Sequence, residues 1–272
     1  MKTLRSSIWR EVGQYVFLVL LAVVFFFPVV WIFLTSLKPS GEIYAWPPSF
    51  FPVDPILDNY RRVLTGSPLG RFIVNSIIVS SLSMLTVISF ASIAAYALAR
   101  IRFRGSGLIL FLFIAFAMFP QLAIVPSIFV WFRQLGLLNS YLGIVIAYTG
   151  LFTPLALCIL STYFRTIPNE LEESALIDGC GVFRMIVQII LPVAVPGVVA
   201  AALIVFIQTW NEFFLALVIL ARNTLRTATV GIALYPGEYA FPWDLITTAT
   251  FLAIVPLFVL TVVFQRHIIG GL

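Results

Sequence analysis

Between Tyr15 and Leu34 the chain reads YVFLVLLAVVFFFPVVWIFL, without one charged side chain. A hydrocarbon core about 30 Å thick takes roughly 20 helical residues to cross, and this run supplies them. Its one helix breaker, Pro28, is tolerated in a membrane helix whose neighbours satisfy the freed carbonyl. The residues from Met1 to Arg10 are basic, but the apolar run is too long for a signal-peptide core and no small-x-small site closes it. It reads as a retained span.

Further uncharged stretches run from Phe72 to Ala99, Gly105 to Phe132, Gln134 to Phe164, Met185 to Asn211 and Leu245 to Gln265. Six transmembrane helices are predicted, giving an all-α polytopic membrane protein. Only Arg133 separates the third stretch from the fourth, yet Gly136, Asn139 and Ser140 supply turn residues there. An unbroken helix of about 60 residues would be roughly 90 Å long, so two spans are read instead.

Composition agrees. Of 272 residues 61% are hydrophobic and 10% charged, against about 25% charged in a soluble domain. Six spans leave no room for a large extramembrane domain, so 1–272 reads as a single transmembrane domain. The net charge of +5 lies in small groups at the ends of apolar runs, which is the signature of topology rather than nucleic-acid binding. Cys158 and Cys180 form no disulfide framework or metal site.

Lys and Arg in short loops set the orientation. Lys2, Arg5 and Arg10 precede the first span, and Arg100, Arg102 and Arg104 lie between the second and third. Both groups belong in the cytoplasm, with the three arginines as anchors to the anionic leaflet. Six crossings return Arg266 and His267 to the same side, so both termini are cytoplasmic, and His267 reads as a structural interfacial histidine. The first outer loop holds Lys38, Arg61, Arg62 and Arg71, offset by Glu42, Asp54 and Asp58. It is rich in proline and aromatic residues, and is expected to lie on the interface before a short helix over Leu57 to Leu64.

The most informative loop, 165–191, joins the fourth and fifth spans. Asn169 is placed to cap a helix whose first turn holds Glu170, Glu172 and Glu173, where carboxylates favour the positive helix end. Asp178 and Gly179 end it, glycine being suited to the left-handed closing residue. A second helix is expected from near Val182, with Pro192 at its passage into the span. The short helix would expose Ala175 and Gly179, small enough for another backbone to approach.

Glu173, Ala175, Asp178, Gly179 and Pro192 together resemble the cytoplasmic loop signature of binding-protein-dependent ABC importer permeases, read as E-A-A, three residues to D-G, then a distant proline. Ser174 and Cys180 stand where small alanines are usual, and Ile186 replaces a frequent phenylalanine. Ser36-Leu37-Lys38-Pro39 with Glu42-Ile43, Asn59-Tyr60, Asn75-Ser76 and Trp210-Asn211-Glu212-Phe213 look like the MalG-type subunits of carbohydrate importers.

The resemblance implies a type I ABC importer permease fold in the bacterial or archaeal inner membrane. It implies transport of sugars, whether disaccharides, oligosaccharides or glycerol phosphates. The implied partners are a second, MalF-type permease, a homodimeric ATPase carrying ATP and Mg, an extracytoplasmic solute-binding protein and membrane lipid. No cofactor and no enzymatic activity are expected on this chain. Glu173, Ser174, Ala175, Asp178, Gly179 and Pro192 are the implied ATPase-coupling residues, and alternating access is the implied mechanism. The family's small-residue, lysine-containing tail after the equivalent of Gly271 has no counterpart in this sequence, so no ATPase contact is assigned there.

Within the fifth stretch lie Gln208, Thr209, Asn211 and Glu212, around Trp210. A carboxylate inside a span costs roughly 2.5–3.5 kcal/mol on insertion scales, so Glu212 should face protein, water or a partner. Helical spacing would put Gln208, Asn211 and Glu212 on one face, and amide and carboxylate groups suit sugar hydroxyls. Helix packing through an arginine pair is the alternative for Glu212. Ser76, Ser80 and Ser83, with the small residues from Ala91 to Ala99, favour close helix packing over pore lining. An ion-coupled secondary transporter would need repeated halves and several buried ionisable groups. An intramembrane enzyme would need a nucleophile or metal set. The sequence offers neither.

Overall fold

The computed structural model describes residues 2–101, 103–235 and 241–271, and its regular elements are all helical. Arg102, with the side chains of Lys2, Arg5, Arg10, Arg266 and His267, lies outside the described residues. The long α1 (Lys2–Ser36) is followed by α2 (Ser40–Ile43), α3 (Asp58–Thr65) and α4 (Leu69–Arg100). Next come α5 (Ser106–Ala117), α6 (Gln121–Gln134), α7 (Tyr141–Thr166) and α8 (Glu170–Ile177). After α9 (Val182–Met185) a π turn over Ile186–Ile190 leads into α10 (Leu191–Asn211). The chain continues through α11 (Phe214–Ile219) and α12 (Ala228–Ala233) to α13 (Trp243–Gly271).

Among the described residues α1, α4, α7, the continuous α9–α10 run and α13 are each long and apolar enough to cross a membrane. The sixth expected crossing is different. Instead of one helix over 105–132, α5 and α6 meet at a bend of 92°. Pro120 lacks the N–H that would continue α5 and drives the preceding residue out of helical geometry, so the chain turns and restarts at Gln121.

The chain divides into two compact units. The first comprises 1–70 and 234–254. Here Asn59 is fully buried and donates to the carbonyls of Ser36, at 3.0 Å, and Lys38, at 2.9 Å. The Tyr60 hydroxyl lies 2.7 Å from that of Ser36, and Lys38 donates to the Ser49 carbonyl over the Trp31 ring. Asp244, in the first turn of α13, accepts from Ser40 and Arg62, each at 2.9 Å. Glu42 accepts from the Ser49 hydroxyl and the Val53 amide, and these bonds, Ser49 foremost, hold its carboxyl below the usual range. The short helix expected over Leu57 to Leu64 is α3, shifted by one residue. Every side chain of α1 from Val12 to Phe27 is exposed.

The second unit comprises 71–233 and 255–272. Its larger core joins Val87, Ala91 and Ala95 of α4 with Leu157 and Leu160 of α7 and Ala194 and Ala201 of α10. Small residues let these backbones approach, and Ser76, Ser80 and Ser83 are all buried, as close packing requires. A second core gathers Val125 and Phe132 of α6, Ile144 and Tyr148 of α7, and Leu215 and Ile219 of α11. The α6–α7 turn forms where expected: Gly136 and Asn139 take positive φ, and the Ser140 hydroxyl accepts the Gly143 amide at 3.0 Å to cap α7.

Closest approach of α7 and α10 depends on Gly197, where a Cβ would fall inside the ring of Tyr163. Gly197→Leu should therefore lower stability by about 1–3 kcal/mol, the range for overpacking a core. Thermal unfolding of the detergent-solubilised protein checks this.

Candidate functional site

Two features of the second unit stand apart from packing, and the first is α8. The chain leaves α7 at Thr166, turns through Pro168 and forms α8 over two turns. Its C-terminus closes as a Schellman motif, with Gly179 at φ +75°, the Gly179 amide on the Leu176 carbonyl at 3.1 Å and the Cys180 amide on that of Ala175 at 2.9 Å. The N-terminus departs from expectation. Asn169 occupies the capping position, but its side chain accepts from Arg100 instead of from the helix.

Arg100 is correspondingly not a free lipid anchor. It forms an ion pair with Glu172 at 2.7 Å and donates to the Ile167 carbonyl at 2.6 Å. Ala175 is likewise not offered outward. It is 4% exposed and packs with Met185, Ile190 and Ala194, because the short helix has only one face to bury and its smallest side chain takes that place. The most exposed large hydrophobic side chains of α8 and α9 are Ile177 at 85% and Phe183 at 81%, with Leu176 and Val182 also exposed; Glu173, Ser174, Asp178, Gly179 and Arg184 are exposed as well. Pro192 is exposed in the first turn of α10. The π turn before it was not anticipated. Proline offers no N–H to the carbonyl four residues back and its ring crowds that carbonyl, and a widened turn relieves both effects.

The second feature is the end of α10. Glu212 lies beyond the helix with ψ 132°, so it shares no helical face with Gln208 and Asn211. Its carboxylate is buried and accepts four hydrogen bonds. On Oε1 are the Gln121 amide at 2.6 Å and the Leu215 backbone at 2.8 Å. On Oε2 are the Tyr148 hydroxyl at 2.7 Å and the Ala216 backbone at 3.0 Å. The Glu212 carbonyl accepts from Thr229 at 3.0 Å. No arginine takes part among the described residues. Leu215 and Ala216 open α11, so the carboxylate caps that helix as well as bridging α6 and α7.

The three residues nonetheless meet in one recess of about 260 Å³, lined by Gln121, Phe152, Gln208, Asn211, Glu212, Phe213 and Phe214. Gln208 and Asn211 are exposed in it, and Trp210 is buried away from it. The Asn211 amide donates to the Ile207 carbonyl at 2.9 Å, leaving its oxygen outward. Amide groups beside aromatic rings can hydrogen-bond and stack on a polyhydroxylated ring. Gln121 and Tyr148 escaped the sequence reading. Gln121 carried one signal, a lone amide after a proline in an apolar run; Tyr148 carried none. The adjoining segment is fixed by Asn75, which donates to the carbonyls of Thr224 and Arg226 and accepts from Tyr141, and by Ser76, which accepts from the Ala228 amide.

Spanning helices, a braced helix with an apolar tip and a polar recess at a helix break define a membrane permease subunit. The chain belongs to the family of binding-protein-dependent transport system inner membrane components, which its residues 87–271 match. It is 40% identical over 246 residues to the sulfoquinovosyl glycerol transport system permease protein SmoH of Agrobacterium fabrum, covering 90% of this chain and 86% of that one. It is 34% identical to the trehalose/maltose transport system permease protein MalG of Thermococcus litoralis over 272 residues, covering 99% and 97%. The trehalose transport system permease protein SugB of Mycobacterium tuberculosis is 34% identical over 247 residues, with coverage of 90% and 89%. The fold matches a bacterial ABC transporter involved in the import of the acidic polysaccharide alginate, with TM-score 0.82 and 24% identity over 96% and 97% of the two chains.

Removing the Glu212 carboxylate leaves the Tyr148 hydroxyl and two backbone amides without their acceptor. Glu212→Ala should cost at least about 1.5–3 kcal/mol, the range for hydrogen bonds to a charged group. Gln208→Ala, at an exposed amide, should leave stability unchanged, and thermal unfolding in detergent compares the two.

Proposed function

We propose that this chain is one half of the translocation pathway of an ATP-driven sugar importer. It pairs with a second, MalF-type permease, a homodimeric ATPase and an extracytoplasmic solute-binding protein. ATP and Mg reside on the ATPase, and this subunit contributes no catalytic group. Both termini and the α8 loop face the cytoplasm, in keeping with the basic residues around the first span and between α4 and α5. The sugar class rests on the trehalose/maltose, trehalose and sulfoquinovosyl glycerol permeases it resembles.

The observation that carries this reading is α8. A helix braced to α4 and α7, with Ile177 at its end and Phe183 of the following α9 exposed, has the form of a coupling element gripped from outside the bundle. Closure of the ATPase moves it, and the spans follow into an outward-open state. Glu173, Ser174, Asp178 and Gly179 form the polar margin of that contact, Ala175 seats the helix on the bundle, and Pro192 shapes the passage into α10. The apolar surface of α1 from Val12 to Phe27, exposed on every side, suits a helix that lies against the partner permease and lipid.

Solute meets this subunit at the recess, where Gln208 and Asn211 offer amides and Glu212 holds the wall in shape. The exposed amides separate transport from folding. Gln208→Ala with Asn211→Ala should reduce sugar uptake in proteoliposomes several-fold, while the amount of assembled complex stays constant. Ile177→Asp with Phe183→Asp should release the ATPase on purification and abolish uptake; retention of a stoichiometric ATPase by that variant would refute the docking assignment.

A further inference from the structure

The loop carrying α8 is covalently continuous with α7 on one side and, through α9, with α10 on the other. It has no covalent link to α4. The structure supplies one in another form. Arg100, the last residue of α4, holds three groups within six residues of the loop: it donates to the Ile167 carbonyl at 2.6 Å and to the Asn169 side-chain oxygen, and it forms an ion pair with the Glu172 carboxylate at 2.7 Å. One turn earlier on α4, the Tyr96 hydroxyl donates to the other Glu172 oxygen at 3.3 Å, and its ring meets Phe164 of α7 edge-on at 6.1 Å. Glu172 is thus held by two α4 side chains stacked one turn apart.

The pair is shielded, with 10% of the Arg100 side chain and 15% of the Glu172 side chain exposed. A guanidinium hydrogen-bonded through both terminal nitrogens, paired with a carboxylate and partly withdrawn from water resists separation more than an exposed ion pair does. Each charge also lies at the helix end that favours it, the cation at the C-terminus of α4 and the carboxylate in the first turn of α8. Arg165, Glu170, Glu173, Asp178 and Arg184, the other charges of this loop, are exposed.

We propose that Arg100 and Glu172 are positioning residues for energy coupling: they tie the end of α4 to α8, so that displacement of α8 moves α4 together with α7 and α10. The inference rests on α8 being the element the ATPase grips. Without the tie, α8 would still be gripped, but α4 would lag, and hydrolysis would proceed with less transport.

The test uses the whole complex in proteoliposomes with its solute-binding protein, and measures bound ATPase, basal hydrolysis and solute moved per ATP. Arg100→Met and Glu172→Gln should keep the ATPase bound and basal hydrolysis near its normal rate. Solute moved per ATP should fall about fivefold or more, the lower end of ordinary coupling between sites. The charge reversal Arg100→Glu with Glu172→Arg should recover at least half of that loss, roughly what a restored pair with imperfect geometry gives. A purely structural role would reduce assembled complex and leave the ratio alone. An unchanged ratio in either assembled variant overturns the proposal, as does failure of both variants to assemble, which would assign the pair to folding. Failure of the underlying reading shows separately, as ATPase retained by the Ile177→Asp, Phe183→Asp variant.

Discussion

A helix that stops inside an apolar surrounding exposes backbone donors that no solvent meets, and the Glu212 carboxylate is how this chain meets them. One oxygen serves the Gln121 amide and the Leu215 backbone, the other the Tyr148 hydroxyl and the Ala216 backbone. The consequence is more than a cap. The α5–α6 bend resumes at Gln121 and the α10–α11 break begins at Glu212, so the two discontinuities of the second unit are joined by a single hydrogen bond. Tyr148 adds the middle of α7 to that junction, and Thr229 adds α12 through the Glu212 carbonyl. A charge that insertion scales penalise is retained because its position lets the fold break two helices at one point and still satisfy every group there.

At α8 the same economy works with opposite emphasis. Burying Ala175 and pairing Glu172 with Arg100 leave Ile177 and Phe183 outward. An exposed phenylalanine and isoleucine on a loop with a shielded ion pair invert the usual order of soluble surfaces, and such an apolar pair marks a surface for contact with protein or membrane.

Much of this was legible beforehand. Uncharged runs of spanning length located α1, α4, α7, α10 and α13, and Gly136, Asn139 and Ser140 marked the α6–α7 turn, because length and turn chemistry are local properties. The failures were of contact. Pro120 was visible, yet whether a proline kinks a span or divides it depends on what receives the freed groups, and Gln121 beside Glu212 was the decisive partner. Helical spacing set Glu212 beside Gln208 and Asn211; a tertiary contact ended the helix first, and the recess reunited them by another route. Ala175 looked like an outward contact residue because small residues permit close approach, without saying from which side. Arg100 looked like a lipid anchor because a basic residue at a span end has that role by default, and Glu172 lies far away in sequence.

These particulars assemble into one path. From Val182 to Asn211 the chain is a continuous helix of 30 residues, about 45 Å at 1.5 Å per residue. Its first turn adjoins α8 and its last residue lines the recess. Beside it, α7 runs from Tyr148 at the recess to Thr166 at the loop, packed on α10 through Gly197 against Tyr163. The α8 loop and the recess are therefore joined by two packed helices rather than by loops. The π turn at Ile186–Ile190 interrupts the regular hydrogen bonding of the longer helix near its α8 end. Arg100 pairs the end of α4 with the same loop, so the three helices that share the larger core all meet α8 at one end, while α7 and α10 meet the Glu212 junction at the other.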